Sequence, residues 1–390
     1  MDVAPARLHY LDTMRGVLML LGVVLHSARP YSSGTWRVND VHEIPALDLL
    51  GSTLHLFRMP AFFVVAGFFA VYLICRRPTS VFLSERMQRV GIPLLVMLFS
   101  VNLVQLWFLS ASGAGSAGGA GSAAHFFSET LPPAIMNGNL ASHLWFLACL
   151  GIYFALTATF APQLRRVASK SSEERSHRAA ISIFPLVLAA AAIAPLATAV
   201  AAKLIPGLHA YVLGLVRFST VLEYLPFFAV GAMLCAYPLM LDRFARITPW
   251  VIAIALGAGA GMYVASGHES LAWKAMFLFS RALLAWMVVR AVFWFFRRYL
   301  DRPSAAFRYL SDASYSVYLF HHIVVIITAT WLLGVDASGW RKFLVVMTAA
   351  SLVPLAVYHF VIRRRSWLAY LFNGAVRPGS SATGRRLARE

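Results

Sequence analysis

The chain has 390 residues, of which 59% are apolar and 13% are charged, and its formal net charge is +18. Soluble domains carry about 25% charged residues, so this composition excludes an ordinary soluble domain. Most Lys and Arg residues lie in short segments between apolar runs, which indicates membrane topology rather than binding to nucleic acid. The cysteines Cys75, Cys149 and Cys235 are scattered, and their spacing predicts neither a disulfide framework nor a metal site.

Long apolar runs recur along the chain, and each is long enough to cross a bilayer as a helix. We therefore predict an all-α, polytopic membrane protein with about ten transmembrane helices. The predicted spans are Thr13–Ala28, Leu54–Cys75, Ile92–Leu109, His143–Phe160, Ile181–Leu204, Thr220–Leu239, Pro249–Ser266, Trp273–Phe296, Ala313–Leu333 and Phe343–Ile362. Placing both termini in the cytoplasm puts most basic residues inside, as the positive-inside rule expects.

Two polar segments flank or interrupt these spans. Ser110–Ala124 contains only Gly, Ala and Ser, which predicts a flexible linker outside the cytoplasm. Residues 1–372 are interpreted as a single transmembrane domain. Residues 373–390 are polar and basic, and we expect a cytoplasmic tail without fixed structure near anionic lipid.

Ionisable side chains at membrane depth are candidates for function, since one at a helix centre costs about 2.5–3.5 kcal/mol on insertion scales. Taken one at a time, each of these side chains is also explained as an anchor at the membrane interface or as a buried group whose hydrogen bonds are satisfied. The predicted topology, however, places five of them in the outer half of five different spans: His26, Arg58, His143, Glu223 and His321. This common depth predicts one water-accessible cavity that opens outward, with histidine as the base and arginine as the charge stabiliser.

The motifs around these residues resemble those of the membrane acyltransferase family type 3. Ten residues separate Arg15 from His26 on the first span, as in the family's Arg/Lys–His pattern. Arg58 precedes a Phe-Phe pair and Ala66-Gly67, where Ala66 is a mild departure from the family pattern. The segments His143–Leu147 and Ser314–His321 also look like family signatures.

Within the family, the chain most resembles the glucan biosynthesis protein C group, the succinyltransferases of osmoregulated periplasmic glucans. This likeness lies mainly in the first hundred residues, and the segments that carry it are Tyr10–Arg15, Leu18–Gly22, Tyr31–Asn39 and Arg86–Leu94. The resemblance implies a multi-pass inner-membrane O-acyltransferase whose site opens toward the periplasm. It also implies acyl-CoA, in this group succinyl-CoA, as the donor substrate and a periplasmic glucan as the acceptor, with no permanently bound cofactor.

Roles for the candidate residues follow from this resemblance. We expect Arg15, paired with Asp12, to bind the phosphates of CoA, and His26 to act as general base on a glucosyl hydroxyl. Arg58 is expected to stabilise the oxyanion or to bind the carboxylate of a succinyl group, and Glu223 to orient His26. The remaining candidates, expected to contact the sugar or line the cavity, are His143, His321, Trp36 and Asn39, with Asp40 and His42 in the loop Arg29–Thr53.

Three alternatives stay open at this stage. The protein can be an O-acetyltransferase of another envelope glycan, or transfer can pass through an acyl-histidine intermediate. A proton-coupled transporter also places histidines at membrane depth, although the sequence contains no recognisable inverted repeat. The oligomeric state is not encoded in any motif that we recognise.

Overall fold

The computed structural model describes residues 8–113, 122–170 and 174–374. The α-helices are α1 (His9–Ala28), α2 (Pro45–Ile74), α3 (Thr79–Phe99), α4 (Val101–Ser112), α5 (Ala123–His125), α6 (Leu131–Met136), α7 (Trp145–Thr159), α8 (Ala161–Lys170), α9 (Glu174–Leu204), α10 (Phe218–Ala236), α11 (Pro238–Phe244), α12 (Pro249–Ala265), α13 (Leu271–Tyr299), α14 (Ala305–Leu332), α15 (Gly339–Ala356) and α16 (Ser366–Asn373). Short 3₁₀ turns lie at Arg29–Tyr31, Ser142–Leu144 and Pro206–His209, and π-helical turns at Phe126–Thr130 and Val357–Ile362. Strands β1 (Tyr211–Val212) and β2 (Val216–Arg217) form one antiparallel pair.

The predicted membrane-spanning helices are confirmed in number and in approximate position. Within the described ranges, nine helical segments are long and apolar enough to cross a bilayer, and the bent pair α11–α12 raises the number to as many as ten. Helices α3 and α4 together form one of these segments, Thr79–Ser112. Helix α2 begins at Pro45, earlier than the predicted Leu54, because proline at the first position favours the start of a helix.

The predicted linker is partly helical. Its first residues, Ser110 to Ser112, complete α4, and its last residues, Ala123 and Ala124, begin α5. The middle of the linker, residues 114–121, lies outside the described residues. Most of the predicted tail, residues 375–390, also lies outside them, whereas Asn373 still belongs to α16.

Glycines allow α2 and α10 to approach each other closely. A Cβ atom on Gly67 of α2 would overlap the carbonyl of Phe228, and one on Gly231 of α10 would overlap the carbonyl of Val64. Small residues at such crossings are typical of membrane helices, where backbone contact and van der Waals packing replace the hydrophobic driving force. The pair α2–α10 therefore forms the centre of the bundle, and α7 and α13 add aromatic side chains around it.

A second close contact sets the depth of α1 relative to α14. A Cβ atom on Gly16 would lie 2.9 Å from the Cα atom of Ser311, and the hydroxyl of Ser311 donates to the carbonyl of Asp12 at 3.1 Å. His26 lies ten residues beyond Gly16, and His321 lies ten residues beyond Ser311. Because each residue advances a helix by about 1.5 Å, the two histidines reach the same depth, about 15 Å from this contact.

The α2–α10 contact yields a stability prediction. Gly231→Ala should destabilise the protein by about 1–3 kcal/mol, because the added methyl group forces two backbones apart in a filled interface. Gly257→Ala is the matched control, since, apart from its chain neighbours and its own helix backbone, no atom of the described residues lies within 4 Å of the position of its Cβ atom. The measurement is thermal unfolding of both variants in detergent; equal midpoints for the two would contradict the close approach.

Candidate active site

Four histidines meet where α1, α14 and the 3₁₀ turn Ser142–Leu144 converge. The ring centroid of His26 lies 5.3 Å from that of His321 and 5.0 Å from that of His322. The ring of His143 stacks on His322 at 4.7 Å and lies 5.4 Å from His321. We call these four residues the histidine cluster. In the described part of the chain, they do not form a group that could hold a metal ion.

Trp36 covers the histidine cluster on one side. Its ring lies 6.3 Å from that of His26 and 5.5 Å from that of His322. The loop that carries Trp36 is held by Asn39, whose side-chain oxygen accepts from the Trp36 backbone N–H at 2.9 Å. The amide of Asn39 also donates to the carbonyl of Gly34 at 3.0 Å. Asn39 therefore positions Trp36, and its hydrogen bonds are directed into the loop.

Backbone carbonyls determine which ring nitrogens of the histidine cluster carry protons. Nε2 of His143 donates to the carbonyl of Leu319 at 3.2 Å, and Nδ1 of His321 donates to the carbonyl of Tyr318 at 2.7 Å. Since a carbonyl only accepts, the other nitrogen of each neutral ring carries a lone pair. These two atoms, Nδ1 of His143 and Nε2 of His321, are buried and without a hydrogen-bond partner in the described residues. The cluster can therefore accept protons from a substrate.

A buried arginine lies next to the histidine cluster. Arg58 is 7% exposed, and its Nη1 atom lies 2.6 Å from where a Cβ atom on Gly22 would be. Gly22 precedes His26 by one helical turn on α1, so the guanidinium faces the same side of α1 as His26. Its Nε atom has no hydrogen-bond partner, and no carboxylate forms an ion pair with Arg58 within the described ranges. A cation buried in this way favours negative charge on a ligand.

Two cavities approach the histidine cluster from opposite ends. The first, which we call the basic cavity, has a volume of about 310 Å³ and is bordered by Arg15, Arg86 and Arg89. Its apolar wall includes Met19, Phe62, Phe69, Phe146, Leu147 and Leu150. Met19 precedes His26 by seven residues on α1, a distance of about 10 Å along the helix. The apolar wall therefore leads from the arginines toward the cluster.

The second cavity, which we call the polar cavity, has a volume of about 620 Å³. Its polar and aromatic lining consists chiefly of Trp36, Arg37, His125, Glu129, Asn137 and Asn139. The guanidinium of Arg37 donates to the carbonyl of Asn139 at 3.2 Å and to its side-chain oxygen at 3.3 Å, which links the two walls. Trp36 belongs both to this lining and to the surroundings of the histidine cluster.

The structure brings together most, but not all, of the candidates chosen from the sequence. His26, His143, His321 and Arg58 are neighbours, and Trp36 lies beside them. At the other end of the bundle, Asp12 and Arg15 form the expected ion pair, at 3.9 Å. Glu223 instead lines a separate cavity of about 400 Å³, together with His55 and Arg281, and no hydrogen bond links it to His26 in the described residues. We call this third space the lateral cavity.

Asp40 has a structural role that differs from the expected contact with sugar. Its carboxylate accepts from Nζ of Lys342 at 2.7 Å, and both side chains are 2% exposed. His42 also contacts the same carboxylate, at 2.7 Å. Burial alone raises the pKa of Asp40, but the hydrogen bonds from Lys342 and His42 outweigh this effect and hold the pKa below its ordinary value. Asp40 therefore anchors the loop to α15.

Sequence reasoning left three members of the site without a role. His322 completes the histidine cluster, and its Nδ1 atom donates to the side-chain oxygen of Gln105 at 2.8 Å. The hydroxyl of Tyr318 donates to the carbonyl of His143 at 2.7 Å and so holds the 3₁₀ turn against α14. The adjacent pair His321-His322 was visible in the sequence, but only packing shows that both rings face the same neighbours.

The chain matches a known protein family over most of its length. The model of a family described as an acyltransferase domain matches residues 8–359, which is most of the chain. The chain belongs to this acyltransferase family. The family assignment makes the protein an acyltransferase, and it decides against the proton-coupled transporter considered from the sequence.

Curated relatives agree with the family. The acyltransferase is 29% identical over 384 residues to glucans biosynthesis protein C of Escherichia coli strain K12, and the alignment covers 96% of each chain. It is 28% identical over 382 residues to the protein of the same name from Escherichia coli O1:K1, again with 96% of each chain covered. No solved structure matches the chain. The spans and these relatives together indicate a multi-pass membrane protein.

The Asp40–Lys342 pair predicts how the loop responds to mutation and pH. Lys342→Met should cost about 3–5 kcal/mol, because it leaves a buried carboxylate without its cation. Since the pKa of Asp40 is lowered in the folded protein, its contribution is complete above the unfolded value of about 3.9 and is lost as pH falls through the folded pKa.

The measurement is thermal unfolding in detergent as a function of pH, with the double variant Asp40→Asn/Lys342→Met as the control. The double variant should lose less stability than the sum of the losses in the two single variants. Its unfolding midpoint should also fall less than that of the wild type when the pH is lowered. Strict additivity would show that the two side chains do not interact.

Proposed function

We propose that this acyltransferase transfers a succinyl group from cytoplasmic succinyl-CoA to hydroxyl groups of a periplasmic glucan in the inner membrane. The observation that carries the proposal is the position of the histidine cluster and Arg58 between two unlike cavities. One cavity has a basic border and an apolar wall, and the other is polar and includes Trp36. A reaction between a donor and an acceptor on opposite sides of a membrane requires such an arrangement.

The basic cavity is the proposed donor site. Arg15, Arg86 and Arg89 carry the charge that the phosphates of CoA require, and guanidinium groups bind phosphate through two parallel N–H donors. Asp12 pairs with Arg15 and so fixes the direction of its side chain. The predicted topology puts this end in the cytoplasm, where acyl-CoA is made. The pantetheine arm then follows the apolar wall, which brings the thioester to the histidine cluster.

The proposed reaction is a direct transfer. His26 takes the proton of a glucosyl hydroxyl while the hydroxyl oxygen attacks the carbonyl carbon of the thioester. The carbonyl oxygen becomes negative in the tetrahedral intermediate, and Arg58 stabilises it. Collapse of the intermediate breaks the C–S bond, and the CoA thiolate receives the proton from His26. The products are the glucan ester and CoA, and His26 returns to its neutral form.

The neighbours of His26 complete the proposed mechanism. His143 and His321 each have a buried, unprotonated nitrogen without a partner in the described residues, so they can accept hydrogen bonds from the acceptor or pass on its proton. Trp36 is a flat apolar surface beside His26, and aromatic rings with a polar rim suit the stacking of a glucosyl unit. The relatives' name supports a glucan as the acceptor. The succinyl donor is the assignment that follows from the group that this sequence resembles.

The role of His26 predicts a loss of transfer without a loss of donor binding. His26→Ala should reduce succinyl transfer by about 10²–10⁴, the usual contribution of a general base. Binding of succinyl-CoA should stay within about twofold, since His26 lies beyond the arginines of the basic cavity. The matched control is His268→Ala, an exposed histidine that stacks on Trp273 outside the cavities.

The measurements are mass spectrometry of periplasmic glucans from complemented deletion cells, and calorimetry of succinyl-CoA binding to the purified protein. Normal succinylation in His26→Ala at equal membrane levels would rule out His26 as the base. An unmodified glucan in cells with the wild-type protein would instead rule out the succinyl or glucan assignment.

The proposed donor site predicts a defect in affinity. Arg89→Gln should raise the KM for succinyl-CoA about tenfold, because it removes one charge-assisted contact to phosphate, and should leave kcat within about twofold. Arg298→Gln removes the same charge from an exposed position in the last turn of α13 and should change neither constant. Initial rates of transfer against donor concentration measure both. Equal KM values for the two variants would place CoA elsewhere.

A further inference from the structure

The lateral cavity is distinct from the site of transfer. It lies between α2, α9, α10 and α13, and none of the described residues that line it also lines the basic cavity or the polar cavity. His55 and Pro60 of α2 line it, whereas Arg58 of the same helix reaches toward Gly22 on α1. Glu223 was expected to orient His26, but it lines the lateral cavity and is not part of the histidine cluster. The lateral cavity therefore requires an explanation of its own.

One wall of the lateral cavity belongs to a helix that faces lipid. Only 17% of the span Phe184–Leu204 in α9 is buried inside the protein. Its large exposed apolar side chains include Leu186, Ile193, Val200 and Leu204. The residues that α9 contributes to the cavity are small or short: Pro195, Thr198, Ala199 and Ala202, followed by Lys203. These small side chains leave a space of about 400 Å³ at the boundary between protein and lipid.

The charges around this space are of both signs and are not paired with each other. Arg281 and Lys203 provide cations, and Glu223 provides an anion. Neither Arg281 nor Glu223 forms an ion pair or a hydrogen bond within the described residues, although they line the same cavity. Lys203 and His209 lie at the end of the α9 span, at the depth where lipid headgroups begin.

We propose that the lateral cavity binds the headgroup of a zwitterionic phospholipid that carries a primary ammonium group. The lipid phosphate is bound by Arg281 and Lys203, and the ammonium group by Glu223. The separation of the cation from the carboxylate in one cavity suits a ligand that carries both charges. The position beside α9 selects a lipid over a soluble molecule, because the acyl chains then remain in the bilayer along the small residues of α9.

The experiment uses the full-length protein, delipidated in detergent and titrated with lipid by native mass spectrometry. Wild-type protein should bind dioleoylphosphatidylethanolamine at least about tenfold more tightly than dioleoylphosphatidylglycerol, which lacks the ammonium group. Arg281→Gln should weaken binding of both lipids about tenfold or more, since it removes a charged contact to phosphate. Glu223→Gln should abolish the preference between the two lipids.

Two residues at the same end of the bundle provide matched controls. Lys274→Gln and Glu269→Gln remove the same charges from an exposed ion pair outside the lateral cavity, and they should bind lipid like the wild type.

A third test variant, Ala199→Phe, fills the cavity without changing charge, and it should lose the lipid. Because α9 is largely exposed, this variant is expected to fold, which thermal unfolding of each protein checks.

Three results would overturn the proposal. The first is equal affinity of the wild-type protein for the two lipids. The second is unchanged lipid binding in the folded variants Arg281→Gln, Glu223→Gln and Ala199→Phe. The third is displacement of the lipid by soluble glycerophosphoethanolamine at equal concentration, which would make the ligand a soluble headgroup. None of these results bears on the histidine cluster, so the proposed transfer reaction is tested separately.

Discussion

The parallel contact between α1 and α14 is the constraint on which the site depends. Gly16 lets the backbone of α1 rest against Ser311, and this fixes the axial position of one helix against the other. Equal rise per residue then brings His26 level with the pair His321-His322. A shift of one residue would move the rings by about 1.5 Å and turn them by about 100°. The cluster is therefore a consequence of backbone packing far from it.

In the described part of the protein, several polar groups around the histidine cluster have no partner, so they remain able to bind a ligand. The protons of His143 and His321 go to backbone carbonyls, which leaves the other nitrogen of each ring buried and without a partner in the described residues. Arg58 is buried without a carboxylate partner in the described chain, and its charge is available to a ligand. The ion pair between Asp40 and Lys342, by contrast, has a structural role: both charged groups are buried and satisfy each other.

The basic cavity and the polar cavity differ because of the helices and loops that form them. The basic cavity is enclosed by long helices, whose apolar side chains suit the extended thioester arm of the proposed donor. The polar cavity is enclosed by loops and short helices, where Arg37 and Asn139 bond to each other across the gap. Loops present backbone groups and polar side chains that a transmembrane helix uses internally. The chemistry of each cavity therefore matches the substrate proposed for it.

The sequence by itself determined the spans, because a bilayer demands apolar runs of a fixed length. The common depth of ionisable side chains then singled out His26, Arg58, His143, Glu223 and His321. Tertiary structure decided which residues are neighbours. Glu223 has the right depth, yet α10 turns it toward Arg281 and away from the cluster. Gln105 joins the site only because α4 packs beside α14, where it accepts a hydrogen bond from His322. Depth is a one-dimensional property that hydropathy encodes, whereas the rotation and partners of each helix follow from close contacts between backbones.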